Sequence, residues 1–210
     1  MVKPSKANEI IRVLKKEYDI GPWHARPFRT LISCILSQRT KDETTGPATE
    51  RLFRLAKTPQ EMVKLPQRKI AKTIYPVGFY NQKAKRIKQA CEMLLEKYNG
   101  RVPKTRAELM GLPGIGGKCA DIVLLFSYGH EVIPVDTHVA KVSRRLGWTK
   151  HNDREKIRED LHNIFPSNNR SIVNSLLVTF GKDICKAPIP RCYECPIEKL
   201  CPYPNKNLKN

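Results

Sequence analysis

Apolar residues recur at helical spacing through nearly the whole chain, and that period limits the fold more tightly than any composition figure. Ile87, Ala90, Cys91, Leu94 and Leu95 fall at i, i+3, i+4, i+7 and i+8. Ile157, Leu161, Ile164 and Phe165 draw a similar face, as do Ile172, Val173, Leu176, Leu177 and Phe180, and Ile10, Ile11, Leu14 and Tyr18. Residues so spaced line one side of a helix and need a neighbouring element to cover them. Thr58-Pro59-Gln60-Glu61 and Thr105-Arg106-Ala107-Glu108 have the threonine-to-glutamate spacing of capping boxes, which satisfy the orphan amides of a helix start. No stretch alternates with period two. The chain is therefore expected to be all-α. Short breaks are expected at Gly21-Pro22, Gly46-Pro47, Pro76-Val77-Gly78, Asn99-Gly100, Pro113-Gly114 and Pro188 to Pro190, where Gly and Pro punctuate helices.

The 210 residues include 39 Lys and Arg against 20 Asp and Glu, a net charge of +19, with 40% hydrophobic residues. That is a globular mix carrying a broad positive field, which favours a polyanion as partner. The most apolar run, Ile122 to Phe126, falls far short of the roughly 20 residues that cross a bilayer. No basic amphipathic helix with an aromatic face points to a membrane surface. Met-Val-Lys-Pro-Ser-Lys-Ala-Asn-Glu at the start lacks the apolar core of a secretory signal. The expectation is an intracellular, soluble protein, in which the seven cysteines do not form a disulfide framework.

The segment Leu112-Pro113-Gly114-Ile115-Gly116-Gly117-Lys118 joins two helices. The first starts at the Thr105 capping box. The second, from about 117 to 127, is apolar nearly all round. Pro113 ends the first. Gly114 and Gly116 allow positive φ and a close approach of backbones, while Ile115 can plug the turn into the core. The amides at the start of the second helix then face outward, an arrangement that suits a phosphate. A plain helix-helix turn also uses glycines, but the full Leu-Pro-Gly-Ile-Gly between two helices, on a chain of this charge, favours the phosphate site; it resembles the helix-hairpin-helix element, which in known families holds DNA by its backbone without reading sequence.

Lys118 stands in the first turn of that buried helix, where the positive helix end disfavours a cation and so favours the free amine that attacks an electrophilic sugar carbon. A solvated lysine on phosphate fits the position equally well. Eighteen residues on, Val135-Asp136-Thr137-His138-Val139 opens another apolar helix. Asp136 reads as its N-cap. A carboxylate so placed can also stabilise a developing oxocarbenium ion. His138 reads as structural. Cys185, Cys192, Cys195 and Cys201 have the spacing C-x6-C-x2-C-x5-C, a set that points to Zn²⁺ or an iron–sulfur cluster. Pro188, Pro190, Pro196 and Pro202 keep this stretch from being helix throughout, and thiolates on loops suit a cubane. Cys34, Cys91 and Cys119 fall on apolar helical faces and read as core.

Taken in order, the hairpin, the Val-Asp-Thr-His segment and the four cysteines resemble the endonuclease III family of base-excision DNA glycosylases. Leu31 to Asp42 and Val77-Gly78-Phe79-Tyr80-Asn81-Gln82-Lys83-Ala84 resemble further landmarks of that family, so the likeness spans about residues 8 to 203. It implies two helical domains flanking a DNA-binding cleft. One would be residues 23–131, with the hairpin at about 105–127. The other would be residues 1–22 plus 132–210, with a cluster loop at 185–201. It implies a monomeric enzyme on double-stranded DNA that carries a damaged base or an abasic site. Such an enzyme flips out an oxidised pyrimidine such as thymine glycol, cuts the N-glycosidic bond and cleaves the strand by β-elimination. Lys118 would be the Schiff-base nucleophile and Asp136 its carboxylate partner. Leu112, Gly114, Ile115, Gly116 and Gly117 would hold DNA. Cys185, Cys192, Cys195 and Cys201 would hold a mainly structural 4Fe-4S cluster.

Lys118 argues against the thymine-mismatch branch, which typically has Tyr there, and against the adenine-mismatch branch, which lacks the lysine. The latter also uses a catalytic Glu where this chain has Ser33-Cys34. Where many members carry a Gln that fills the gap left by the flipped base, this chain has Arg39, with Gln38 just before it. Either residue could fill that gap. The alternatives are a monofunctional mismatch glycosylase and a non-catalytic DNA-binding module.

Overall fold

The computed structural model describes residues 4–21 and 25–209. The expected break at Gly21-Pro22 runs into the undescribed stretch, and Met1 to Lys3 also lie outside the described residues. Every regular element among the described residues is helical, as the apolar period requires. The chain forms two compact units, Trp23–Gly129 and Met1–Pro22 with His130–Asn210.

The first unit holds α2 (Pro27–Ser37), α3 (Asp42–Leu55), α4 (Pro59–Lys64), α5 (Gln67–Ile74), α6 (Tyr80–Tyr98), α7 (Arg106–Met110) and α8 (Gly117–Tyr128). Its centre is α2, whose Leu31, Ile32, Cys34, Ile35 and Leu36 are all buried and which packs on α3, α6 and α8. The face drawn by Ile87, Ala90, Cys91 and Leu94 is fully buried on α6. The threonine half of each capping box forms, while Glu61 turns to the Lys57 amide and Glu108 to the Thr105 hydroxyl. Thr58 accepts from the Glu61 amide at 3.2 Å and Thr105 from the Glu108 amide at 3.3 Å.

One expected break is absent. Helix α3 runs straight through Gly46-Pro47. Pro47 has no N–H for the Glu43 carbonyl, which costs one intrahelical bond. The helix persists because Ala48, Leu52 and Phe53 are buried in packing that joins α3 to α2 and α5, and tertiary burial outweighs one lost bond. Helix α7 also ends earlier than expected, at Met110, with Gly111 as its C-cap.

The second unit is built from α1 (Pro4–Glu17), α9 (Thr137–Arg145), α10 (Arg154–Ile164) and α11 (Arg170–Asp183). Ala7, Ile10, Ile11 and Leu14 of α1 join Val139, Val142, Ile157, Leu161, Leu176, Leu177 and Phe180 in one core. Trp148 and Phe165 meet edge to face there, with centroids 5.1 Å apart. After α11 come two short 3-10 turns, Cys192–Glu194 and Glu198–Leu200. No described helix is long and apolar enough to cross a membrane.

Candidate functional site

The hairpin between α7 and α8 takes its shape from burial and one glycine. Leu112 and Ile115 are buried, so their side chains plug the turn and only their backbones can face a ligand. Arg106 and the buried Asp121 pair at 3.0 Å and tie α7 to α8. Gly114 has φ +83°, and a Cβ there would lie 3.0 Å from Cδ of Arg86. Gly116 is different. It is exposed, its φ is an ordinary −103°, and a Cβ there would meet nothing within 4 Å. The fold therefore needs a glycine at 114 but not at 116. Gly116 N-caps α8 with no side chain accepting from its first amides, which leaves them for an outside acceptor. Gly117 and the half-buried Lys118 form the first turn of α8.

A contrast follows. Gly114→Ala should cost about 1–2 kcal/mol, the strain of a left-handed non-glycine residue, and lower the melting temperature by several degrees. Gly116→Ala should shift melting little, a poorer N-cap being offset by a less flexible unfolded chain, yet weaken DNA binding, because its methyl group would stand where a phosphate approaches. Thermal melting and titration with duplex DNA check both; a Gly116→Ala protein with unchanged affinity would count against the hairpin as a phosphate site.

Gln38 and Arg39 part company. The Gln38 side chain turns inward, donating to the Gly114 carbonyl at 2.6 Å and to Sγ of Cys119 at 3.7 Å. It braces the hairpin. Arg39 is exposed on left-handed backbone, φ +49°. Its guanidinium lies 5.8 Å from the ring centroid of Phe79. Phe79 is itself left-handed, φ +58°, and 58% exposed. In the sequence Phe79 is one residue of the Val77 to Ala84 landmark, and only its exposure sets it apart. Such an aromatic and guanidinium pair is a platform on which a base can stack.

Asp136 is half-buried and N-caps α9, its Oδ1 accepting from the Val139 amide at 2.8 Å. The segment leading to it is pinned. The Ile133 amide donates to Nε2 of His162 at 3.1 Å, and buried Asn174 donates to the Pro134 carbonyl at 2.7 Å. His138 packs on Gly181, where a Cβ would come within 3.1 Å, and its Nδ1 has no hydrogen-bond partner among the described residues.

The four C-terminal cysteines are unpaired thiols that line one cavity, walled by Phe180, Ile184 and Ile197. Arg145 donates to Sγ of Cys185 at 3.2 Å and to the Lys186 carbonyl at 2.7 Å. A guanidinium aimed at a sulfur suits a thiolate. Among the described residues no three His, Cys, Asp or Glu side chains converge to hold a single ion; the thiols surround a space instead. Cys34, Cys91 and Cys119 are buried. The hydrogen bond to Cys119, and then burial, hold the Cys34 thiol well above its usual range.

Residues 32–167 match the HhH-GPD superfamily of base excision DNA repair proteins. The endonuclease III of Thermotoga maritima is 40% identical over 195 residues, 93% of this chain and 92% of that protein. A solved trapped endonuclease III–DNA covalent intermediate, an estranged-adenine complex, superposes with a TM-score of 0.89 at 35% identity, covering 97% of each chain. A thermostable thymine-DNA glycosylase superposes with a TM-score of 0.85 at 26% identity, covering 95% of this chain and 96% of that one.

Proposed function

Because the chain belongs to the endonuclease III family, we propose that it is a bifunctional base-excision enzyme on duplex DNA, releasing oxidised pyrimidines such as thymine glycol and then cutting the strand. The observation that carries this reading is Lys118, a primary amine in the first turn of α8, directly after the hairpin and at a helix start that no N-cap side chain satisfies. The hairpin grips the phosphate backbone. Flipping the base costs a few kcal/mol, least for a damaged one, and this biases the enzyme toward lesions. Nζ of Lys118 bonds to C1′ as the bond from C1′ to the base breaks, and the base leaves with the electron pair. One amine proton passes to the departing base and the other to the ring oxygen as the sugar opens, which gives the Schiff base. Removal of a C2′ proton then expels the 3′ phosphate. Asp136 supplies the carboxylate that stabilises positive charge on the sugar.

We read the four cysteines as ligands of a 4Fe-4S cluster. Thiols that ring a space, rather than converge, suit a group in which each thiolate binds its own iron. The cluster, when bound, supplies cross-links among Cys185, Cys192, Cys195 and Cys201 that close a loop poor in regular structure. Purified protein should be brown and carry about four irons per chain. Removing the metal should loosen the loop and lower the melting temperature. Colourless protein with one zinc per chain would replace the cluster by a mononuclear site.

The functional test is borohydride trapping on a duplex with one thymine glycol. A covalent adduct together with a nicked strand is the expected result. Base release without an adduct would move the assignment to a monofunctional mismatch glycosylase.

A further inference from the structure

Among the described residues, Lys83 is the one lysine or arginine that is fully buried, at 3% exposure. It lies in the first turn of α6. Its ammonium donates to the Leu36 carbonyl at 2.7 Å, the Gln38 carbonyl at 2.5 Å and Oγ1 of Thr40 at 3.0 Å. An ammonium has three protons and no acceptor, so this set is complete. The Leu36 carbonyl is among the last of α2, which have no partner within the helix, and a cation there complements the negative helix end.

The contacts extend to a second loop. The Thr40 hydroxyl donates to the Gln38 carbonyl at 3.3 Å and accepts from the Gly78 amide at 3.2 Å. Gly78 backs onto Arg39 so closely that a Cβ would sit 3.0 Å from the Arg39 carbonyl oxygen. The backbone amide of Lys83 bonds the Phe79 carbonyl at 3.0 Å. That last bond is the ordinary helical one, so the Lys83 side chain secures the first loop directly and the second through Thr40, and each loop presents an exposed side chain on left-handed backbone, Arg39 and Phe79. Burial, and then the Arg86 charge, pull the Lys83 ammonium down to about 8. An apolar side chain would fill the same space without that cost, so packing alone does not account for a lysine.

We propose that Lys83 is a positioning residue for the Arg39–Phe79 pair, holding the two loops in the arrangement that presents guanidinium and ring together and thereby setting the opposite-base preference of excision. This rests on the reading that Arg39 meets the base opposite the lesion.

The test compares excision of thymine glycol opposite adenine and opposite guanine by wild type, Lys83→Met, Arg39→Ala and the double variant. Lys83→Met should shift the ratio of the two rates about tenfold, the scale of coupling between residues in one network, and mainly through KM. In the Arg39→Ala background it should add no further shift. Equal loss on both duplexes, multiplying with the loss in Arg39→Ala, would show a merely structural lysine and overturn the proposal. An Arg39→Ala protein with an unchanged ratio would instead overturn the underlying reading of Arg39. If Lys83→Met does not fold, Thr40→Val carries the comparison, since it leaves the charge but removes the hydroxyl through which the ammonium reaches the Gly78 amide; a smaller shift in the same direction is expected, and no shift overturns the proposal.

Discussion

Replacing Lys118 by alanine should abolish borohydride trapping and strand cleavage, with turnover on thymine glycol duplex reduced about 10⁴-fold or more, as when a covalent nucleophile is removed. The variant should fold. Alanine favours helix more than lysine does, and taking a cation from the start of α8 relieves repulsion with the helix end. It should also bind. Lys118 is one of 39 Lys and Arg, and the hairpin grips through backbone amides that do not change. Affinity for lesion duplex should therefore stay within about tenfold of wild type, the loss of a single phosphate contact being small against the whole. Trapping that survives in Lys118→Ala would assign the amine to another residue. Melting, DNA affinity and trapping measured on one preparation separate these outcomes.

The second large effect is expected at Asp136, where two roles share one carboxylate. Asp136→Asn keeps an oxygen for the Val139 amide that Oδ1 now serves at 2.8 Å, and asparagine caps helices about as well as aspartate. Its melting temperature should stay near wild type. Excision should fall about 10²–10⁴-fold, because a neutral amide neither stabilises positive charge on the sugar nor takes a proton. Asp136→Ala should show the same catalytic loss plus about 1 kcal/mol of instability from the missing cap. If Asp136→Asn excises as fast as wild type, the carboxylate is a cap and nothing more.

The helices were legible because their apolar faces are local patterns, and so were Thr58, Thr105 and Asp136, whose capping partners lie three residues away. The hairpin was legible for the same reason. The continuity of α3 through Pro47 was not, since it depends on packing with α2 and α5 that no local spacing encodes. The division of labour between Gln38 and Arg39 was also hidden. It follows from a carbonyl, that of Gly114, 76 residues further along the chain. Lys83 was hardest to see. In a chain of charge +19 one more lysine reads as solvated, and its partners are two main-chain carbonyls and a hydroxyl, none of which spells a site in sequence.

The unit that contains α1 is discontinuous in sequence, and this orders events during synthesis. Trp23–Gly129 is an uninterrupted run, so its helices can close on one another while the ribosome is still making the rest. Helix α1 is made before that run, but its apolar stripe, Ala7, Ile10, Ile11 and Leu14, is covered by residues of α9, α10 and α11, which follow the run. Until those emerge it waits uncovered, the kind of surface that invites premature association in a nascent chain. The thiols of Cys192, Cys195 and Cys201 come later still. Helix α1 thus owes its place to segments made more than a hundred residues after it, and the cysteine loop can close on a metal only after α11 has been made.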